Sequence, residues 1–273
     1  MQASPVWTPP TGTLGGIVAE ARGRAAALRA RESELSRMAA GATPAPSFSA
    51  ALRAQTVAVI AEVKRRSPSK GWINPAISAA EQAQAYERGG AAAVSVLTEP
   101  AHFGGSVDDL VGVRGAVHIP VLKKDFHVEP VQLIEAKAMG ASAALIIVRA
   151  LSPSAFAEMI STAHGLALEV LVEVRDEEEL ARALDVGTAI VGINNRNLET
   201  LAIDPGTAQR MLGLVPGSVI AIAESGVAGR ADVERLARAG ADAVLVGSTV
   251  SASADPASAV RELSTVPRVP RER

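Results

Sequence analysis

The chain has no cysteine, so disulfides, thiolate zinc sites and cysteine nucleophiles are excluded outright. Aromatic residues make up 3% of the 273 positions, which leaves little on which nucleobases could stack, and a net charge of −2 gives no basic footprint for nucleic acid. No apolar run approaches the roughly 20 residues of a membrane span, and the N-terminus lacks the charged-then-apolar pattern of a secretory leader. Nucleotide fingerprints are missing too, since neither GxGxxG nor a P-loop occurs. The four histidines have no metal-ligand spacing. These absences point to a cytoplasmic protein that acts on a small molecule, with no nucleic acid, membrane, metal or cofactor in its chemistry.

What is present is enough apolar sequence, 48%, for one large core, and a recurring pattern. Beyond Val57 a short β-branched run is followed by a polar loop and then an alanine-rich helical stretch that ends in glycine. Eight such runs can be read: Val57–Val63, Ala92–Leu97, Pro120–Phe126, Ala143–Val148, Glu169–Val174, Ala189–Asn194, Val219–Ala223 and Ala243–Val246. The junctions Gly89-Gly90-Ala91, Gly140-Ala141 and Gly240-Ala241 read as helix ends closed by a left-handed glycine. Continuous apolar strands alternating with helices indicate a parallel sheet covered by helices, and eight is the count at which such a sheet closes into a (β/α)8 TIM barrel. A doubly wound open sheet would usually show fewer strands and often a glycine-rich first loop. Before the repeat, residues 1–12 read as a loose tail. Thr13–Met38 reads as one amphipathic helix with Leu14, Ile17, Val18, Ala21, Ala25 and Leu28 on its apolar face, ended by Gly41. Ser47 is placed to cap a short helix carrying Phe48 and Leu52. The expected division is 1–56 as tail and helical extension, 57–265 as the catalytic barrel and 266–273 as a C-terminal tail.

Barrel active sites lie at the C-terminal ends of the strands, so those positions carry the functional reading. Glu62 and Lys64, spaced i, i+2, project together from the first strand end. Thr98 and Glu99 follow on the second, Lys124 and Asp125 on the third, Arg149 on the fourth and Glu173 on the fifth. Asn194 and Arg196 end the sixth, Glu224 and Ser225 the seventh, Gly247 and Ser248 the eighth. Lysines and glutamates converging on one mouth suggest acid–base work. The small residues of Ser225-Gly226 and Gly247-Ser248 would let backbone N–H groups approach an anion, at the place where many barrels bind phosphate.

These residues resemble one family, the indole-3-glycerol phosphate synthases of tryptophan biosynthesis, over residues 13–265. The resemblance rests on Glu62, Lys64, Ser67, Pro68 and Ser69 in AEVKRRSPSKG, on Leu97-Thr98-Glu99 with Phe103, Gly105 and Ser106, and on Lys124-Asp125-Phe126. It continues through Glu173 in LVEV, GINNRNLETL at Gly192–Leu201, Glu224-Ser225-Gly226 and Gly247-Ser248. His102, His127, Glu129 and Val131 depart from the family's usual pattern. The resemblance implies decarboxylating, dehydrating ring closure of 1-(2-carboxyphenylamino)-1-deoxyribulose 5-phosphate, an anthranilate-derived substrate, with no cofactor; a monomer is the expectation, with an oligomer left open. It implies Lys124 as the acid that polarises the ketone and Glu173 as the base. Lys64 would hold a substrate anion or act as a second acid, Glu62 would position a lysine or share proton transfer, and Asn194 and Arg196 would orient the substrate. Ser67, Phe126 and Leu245 are implied as further substrate contacts, with phosphate on Ser225, Gly226, Gly247 and Ser248. A sister isomerase acting on phosphoribosylanthranilate looks to a cysteine, which this chain lacks. A barrel kept only as a scaffold would have lost the charged set.

Overall fold

The computed structural model describes residues 7–271. Its eight barrel strands are β1 Ala58–Val63, β2 Ala93–Leu97, β3 Val121–Lys124, β4 Ala143–Ile147, β5 Glu169–Val174, β6 Ile190–Asn194, β7 Ile220–Glu224 and β8 Ala243–Val246. Every neighbouring pair is parallel, and β8 pairs with β1 through Ala58 to Ala243 and Ala61 to Val246, which closes the barrel. The strands read as continuous apolar runs because they are buried on both faces, between the barrel interior and the ring of helices. The expected helix-ending glycines are there: Gly90, Gly140 and Gly240 have φ of 89°, 81° and 98°, a region that a Cβ disfavours.

The N-terminal extension differs from expectation in one respect. The Thr13–Met38 stretch is two helices, α1 Gly12–Arg29 and α2 Glu32–Ala40, broken at Ala30-Arg31. The break lets each bury a separate face. In α1, Leu14, Ile17, Val18 and Ala21 join the main core, whereas Ala25 packs with Leu35 of α2 and Val131 in a smaller cluster. Gly41 ends α2, and Ser47 caps α3, Phe48–Ala51, by accepting the Ala50 N–H. The Glu169 carboxylate, at the start of β5, accepts N–H bonds from Phe48 and Ser49, so α3 covers the N-terminal end of the barrel.

The start of α1 is tied instead to the C-terminal end of the strands. Glu199, in the loop after β6, accepts from the Thr11 N–H and bonds the Thr13 N–H through its own carbonyl. Further along α1, Arg24 reaches Asp125 at 2.8 Å and Glu99 at 3.5 Å. No described helix is long and apolar enough to cross a membrane.

Candidate active site

Alternation along parallel strands decides which side chains share the mouth. Glu62, Leu97, Lys124, Leu145, Ile147, Glu173, Asn194, Glu224, Leu245 and Gly247 keep one phase and line a cavity of about 240 Å3. Lys64, Phe126, Arg196, Ser225, Gly226 and Ser248 complete it from the strand-end loops, with Phe103, Leu198 and Ile203 as apolar wall. Ser67 is the one expected site residue outside this cavity. Its hydroxyl accepts the Lys70 N–H within its own loop, and it lines a smaller adjoining cavity of about 50 Å3 that shares Lys64, Phe126, Arg196 and Ser248.

At the centre Lys124 Nζ lies 3.2 Å from Glu173 Oε2 and 3.2 Å from Glu224 Oε2. Burial opposes the lysine charge, but the carboxylates of Glu224, Glu173 and Glu62 outweigh it and hold the ammonium above the ordinary lysine range. Burial likewise pushes the Glu224 carboxyl up to about 8, with Lys124 pulling against it and Glu173 adding repulsion. The two carboxylates differ in their other oxygen: that of Glu173 accepts the Asn194 Nδ2–H at 2.9 Å, whereas Glu224 Oε1 is buried without a partner among the described residues. Beside this cluster Lys64 Nζ pairs with Glu62 Oε1 at 2.5 Å. The end of β1 is pinned below them, since the Glu62 carbonyl accepts from Ser251 Oγ at 2.8 Å and Tyr86 Oη at 3.1 Å.

Two glycines make room for these charges. A Cβ on Gly192 would collide with Glu224 Oε1 and approach Leu171 Cδ1 to 3.0 Å, and one on Gly247 would collide with Glu62 Oε1 and lie 3.0 Å from Lys64 Nζ. Gly247 therefore serves the Glu62–Lys64 pair as well as the loop where an anion was expected.

Several strand-end charges belong elsewhere. Glu99 is fully buried and caps the helix Pro100–Phe103 by accepting its first N–H groups. Asp125 accepts from Thr98 Oγ1 at 2.6 Å and pairs with Arg24, while Arg149 pairs with Glu199. These residues fasten the extension to the mouth. Three of the four departures from the family pattern do the same. His102 Nε2 is 3.0 Å from Glu20 of α1, Glu129 pairs with Arg29, and Val131 fills the α1–α2 cluster. The fourth, His127, is buried with Nδ1 at 2.7 Å from the Leu145 carbonyl, and burial and Lys123 push it down to about 3. The sequence offers Glu224 as a strand-end residue and within the Glu224-Ser225-Gly226 motif, with no role of its own. Its in-phase pairing opposite Asn194 is the signal that marks it as part of the cluster.

Residues 14–263 match the family model for indole-3-glycerol phosphate synthase. The chain belongs to the indole-3-glycerol phosphate synthase family. Indole-3-glycerol phosphate synthase 2 of Streptomyces coelicolor is 46% identical over 256 residues, covering 93% of this chain and 99% of the relative. Indole-3-glycerol phosphate synthase of Mycobacterium leprae is 48% identical over 253 residues, covering 92% of both. The crystal structure of 3-hexulose-6-phosphate synthase superposes with a TM-score of 0.60 at 18% identity, over 76% of this chain and 98% of that one, a likeness of fold alone. In this member of the synthase family the charged cluster sits in the mouth, and α1 lies to its side, where Thr13 and Ile17 line the smaller adjoining cavity.

Proposed function

We propose that the mouth cavity carries out the ring closure of 1-(2-carboxyphenylamino)-1-deoxyribulose 5-phosphate to indole-3-glycerol phosphate, with Lys124 as the acid. The observation that carries this reading is the Lys124 ammonium held between Glu173 and Glu224. It enters the reaction protonated, as an acid must, and its proton goes to the ketone oxygen while the aryl carbon attacks the ketone carbon. The carboxylate then leaves as carbon dioxide and its bonding electron pair restores the ring. Loss of the hydroxyl as water needs a second proton, which Lys64 is placed to give. Glu173, oriented by Asn194, takes the proton whose removal completes the indole. Glu62 sets the position of Lys64, and Arg196, whose Nη1 is fixed by the Leu201 carbonyl, orients the substrate. Phe126, Leu245, Leu145 and Ile147 supply the apolar wall that an aromatic ring requires.

The phosphate is assigned to the last two loops. Ser225 and Gly226, with φ of 65° and 82°, line the cavity, and Gly247 and Ser248, at the start of a short helix, line it with them. Ser67 acts from the adjoining cavity, through the loop that carries Lys64. The test is turnover of Lys124→Met, Glu173→Gln and Asn194→Ala on this substrate, read by indole fluorescence. Lys124→Met and Glu173→Gln should lose the first turnover itself, and parental rates for both would sink the assignment.

A further inference from the structure

Asn195, the residue after β6, belongs to the GINNRNLETL stretch yet lines neither cavity of the mouth. It is buried, and each of its polar atoms is engaged. Its N–H donates to the Glu224 carbonyl at 3.0 Å and its carbonyl accepts the Asp204 N–H at 2.9 Å. Its side-chain Oδ1 accepts the Ala208 N–H, in the helix Gly206–Met211, at 2.8 Å, and its Nδ2 donates to the Ser225 carbonyl at 2.9 Å. The amide fits in this sense only, because the Ala208 N–H needs an acceptor and the Ser225 carbonyl a donor.

Ser225 is a residue for which such a bond matters. It is not glycine, yet its φ of 65° lies in the left-handed region that a Cβ disfavours, and Gly226 follows at 82°. A conformation of this kind persists only where its surroundings fix it. A planar trans peptide carries its C=O and N–H on opposite sides, so a bond that fixes the Ser225 carbonyl toward Asn195 also fixes the Gly226 N–H, pointing the other way. That N–H has no acceptor among the described residues, and Gly226 lines the main cavity between Ser225 and Val227.

We propose that Asn195 is a positioning residue for phosphate: its Nδ2–H holds the Ser225–Gly226 peptide in the orientation that offers the Gly226 N–H to the phosphate of the substrate. The inference rests on the assignment of phosphate to the last two loops. Asn195 touches no reacting atom, so its effect falls on the binding of a phosphorylated ligand and not on the chemistry at Lys124.

Asn195→Asp keeps an acceptor for the Ala208 N–H and loses the donor, whereas Asn195→Ala loses both and adds no charge. Both should weaken inorganic phosphate by calorimetry, and raise KM for the substrate, by about tenfold, the worth of one hydrogen bond. The kcat at saturation should stay within about twofold of the parent, because the interaction lost is made equally before and during the reaction. Parental phosphate affinity in either variant overturns the proposal; a loss in Asn195→Asp alone is only charge repulsion. A kcat that falls along with the rise in KM marks a general loosening of the mouth and overturns it too. Gly247→Val is run alongside. If it and both Asn195 variants bind phosphate as the parent does, the phosphate assignment is what has failed, and the role of Asn195 falls with it.

Discussion

Lys124→Met removes the ammonium while keeping an unbranched side chain of similar length, and the structure fixes what should follow. Loss of a general acid lowers kcat by about 10²–10⁴, which at about 1.4 kcal/mol per decade is roughly 3–5 kcal/mol of barrier. Folding should suffer as well. Glu173 and Glu224 each lie 3.2 Å from Lys124 Nζ and are nearly fully buried, so the variant leaves them facing one another without a cation. Stranding a buried charge typically destabilises by about 3–5 kcal/mol, or about 6–20 °C in Tm for a chain of this size. That loss depends on pH in a defined direction. Without the lysine and its pull on Glu224, whose carboxyl is already raised to about 8, the folded variant holds protons that the unfolded chain releases near the ordinary carboxyl value. The stability they confer is complete below that value and is lost as pH climbs through the raised one. The deficit in Tm relative to the parent should thus be small at about pH 6 and large at about pH 9, by scanning calorimetry. A kcat within about tenfold of the parent, or a deficit of equal size at both pH values, would refute the account of this cluster.

Glu224→Gln should flatten the parent's own pH dependence. The Glu224 carboxyl is raised from 4.5 to about 8, so its contribution is present below the first value and lost on the way to the second, with a slope of up to about 1.4 kcal/mol per pH unit. Equal slopes in parent and variant by urea titration would show that Glu224 is ionised throughout. Gly192→Ala places a methyl against Glu224 and Leu171, and overpacking of this kind destabilises by about 1–3 kcal/mol; kcat should fall with it as Glu224 is driven from Lys124. Unchanged kcat would mean that the carboxylate is free to move aside. Gly247→Val should displace the Glu62–Lys64 pair and weaken binding of inorganic phosphate by calorimetry. Retained phosphate affinity would move the anion site away from this loop.

The barrel was legible because parallel strands buried on both faces must be written as apolar runs, and each of the eight runs overlaps an observed strand. The mouth was legible for a related reason. One polar residue past an apolar run, in the inward phase, lies at the C-terminal face, and Glu62, Lys124, Glu173 and Asn194 all obey that rule. Other strand-end charges are held by partners of their own. Asp125, one residue from Lys124, borders the cavity but its carboxylate is held by Thr98 and Arg24, and Glu99 caps a helix. The break in the extension at Ala30-Arg31 was not legible, because neither residue disfavours a helix; it is set by the separate surfaces that α1 and α2 cover. His102, Glu129 and Val131 looked like irregularities around the motifs until their partners Glu20, Arg29, Ala25 and Leu35 came from a segment about a hundred residues earlier.

The central claim is that side chains at this barrel mouth close an indole ring. It is tested most directly by giving EDTA-treated protein, with no added cofactor, the carboxyphenylamino-deoxyribulose phosphate and following indole fluorescence together with carbon dioxide release. The account predicts an indole product with an equal molar amount of carbon dioxide. Folded protein that binds the substrate and yields neither would contradict it.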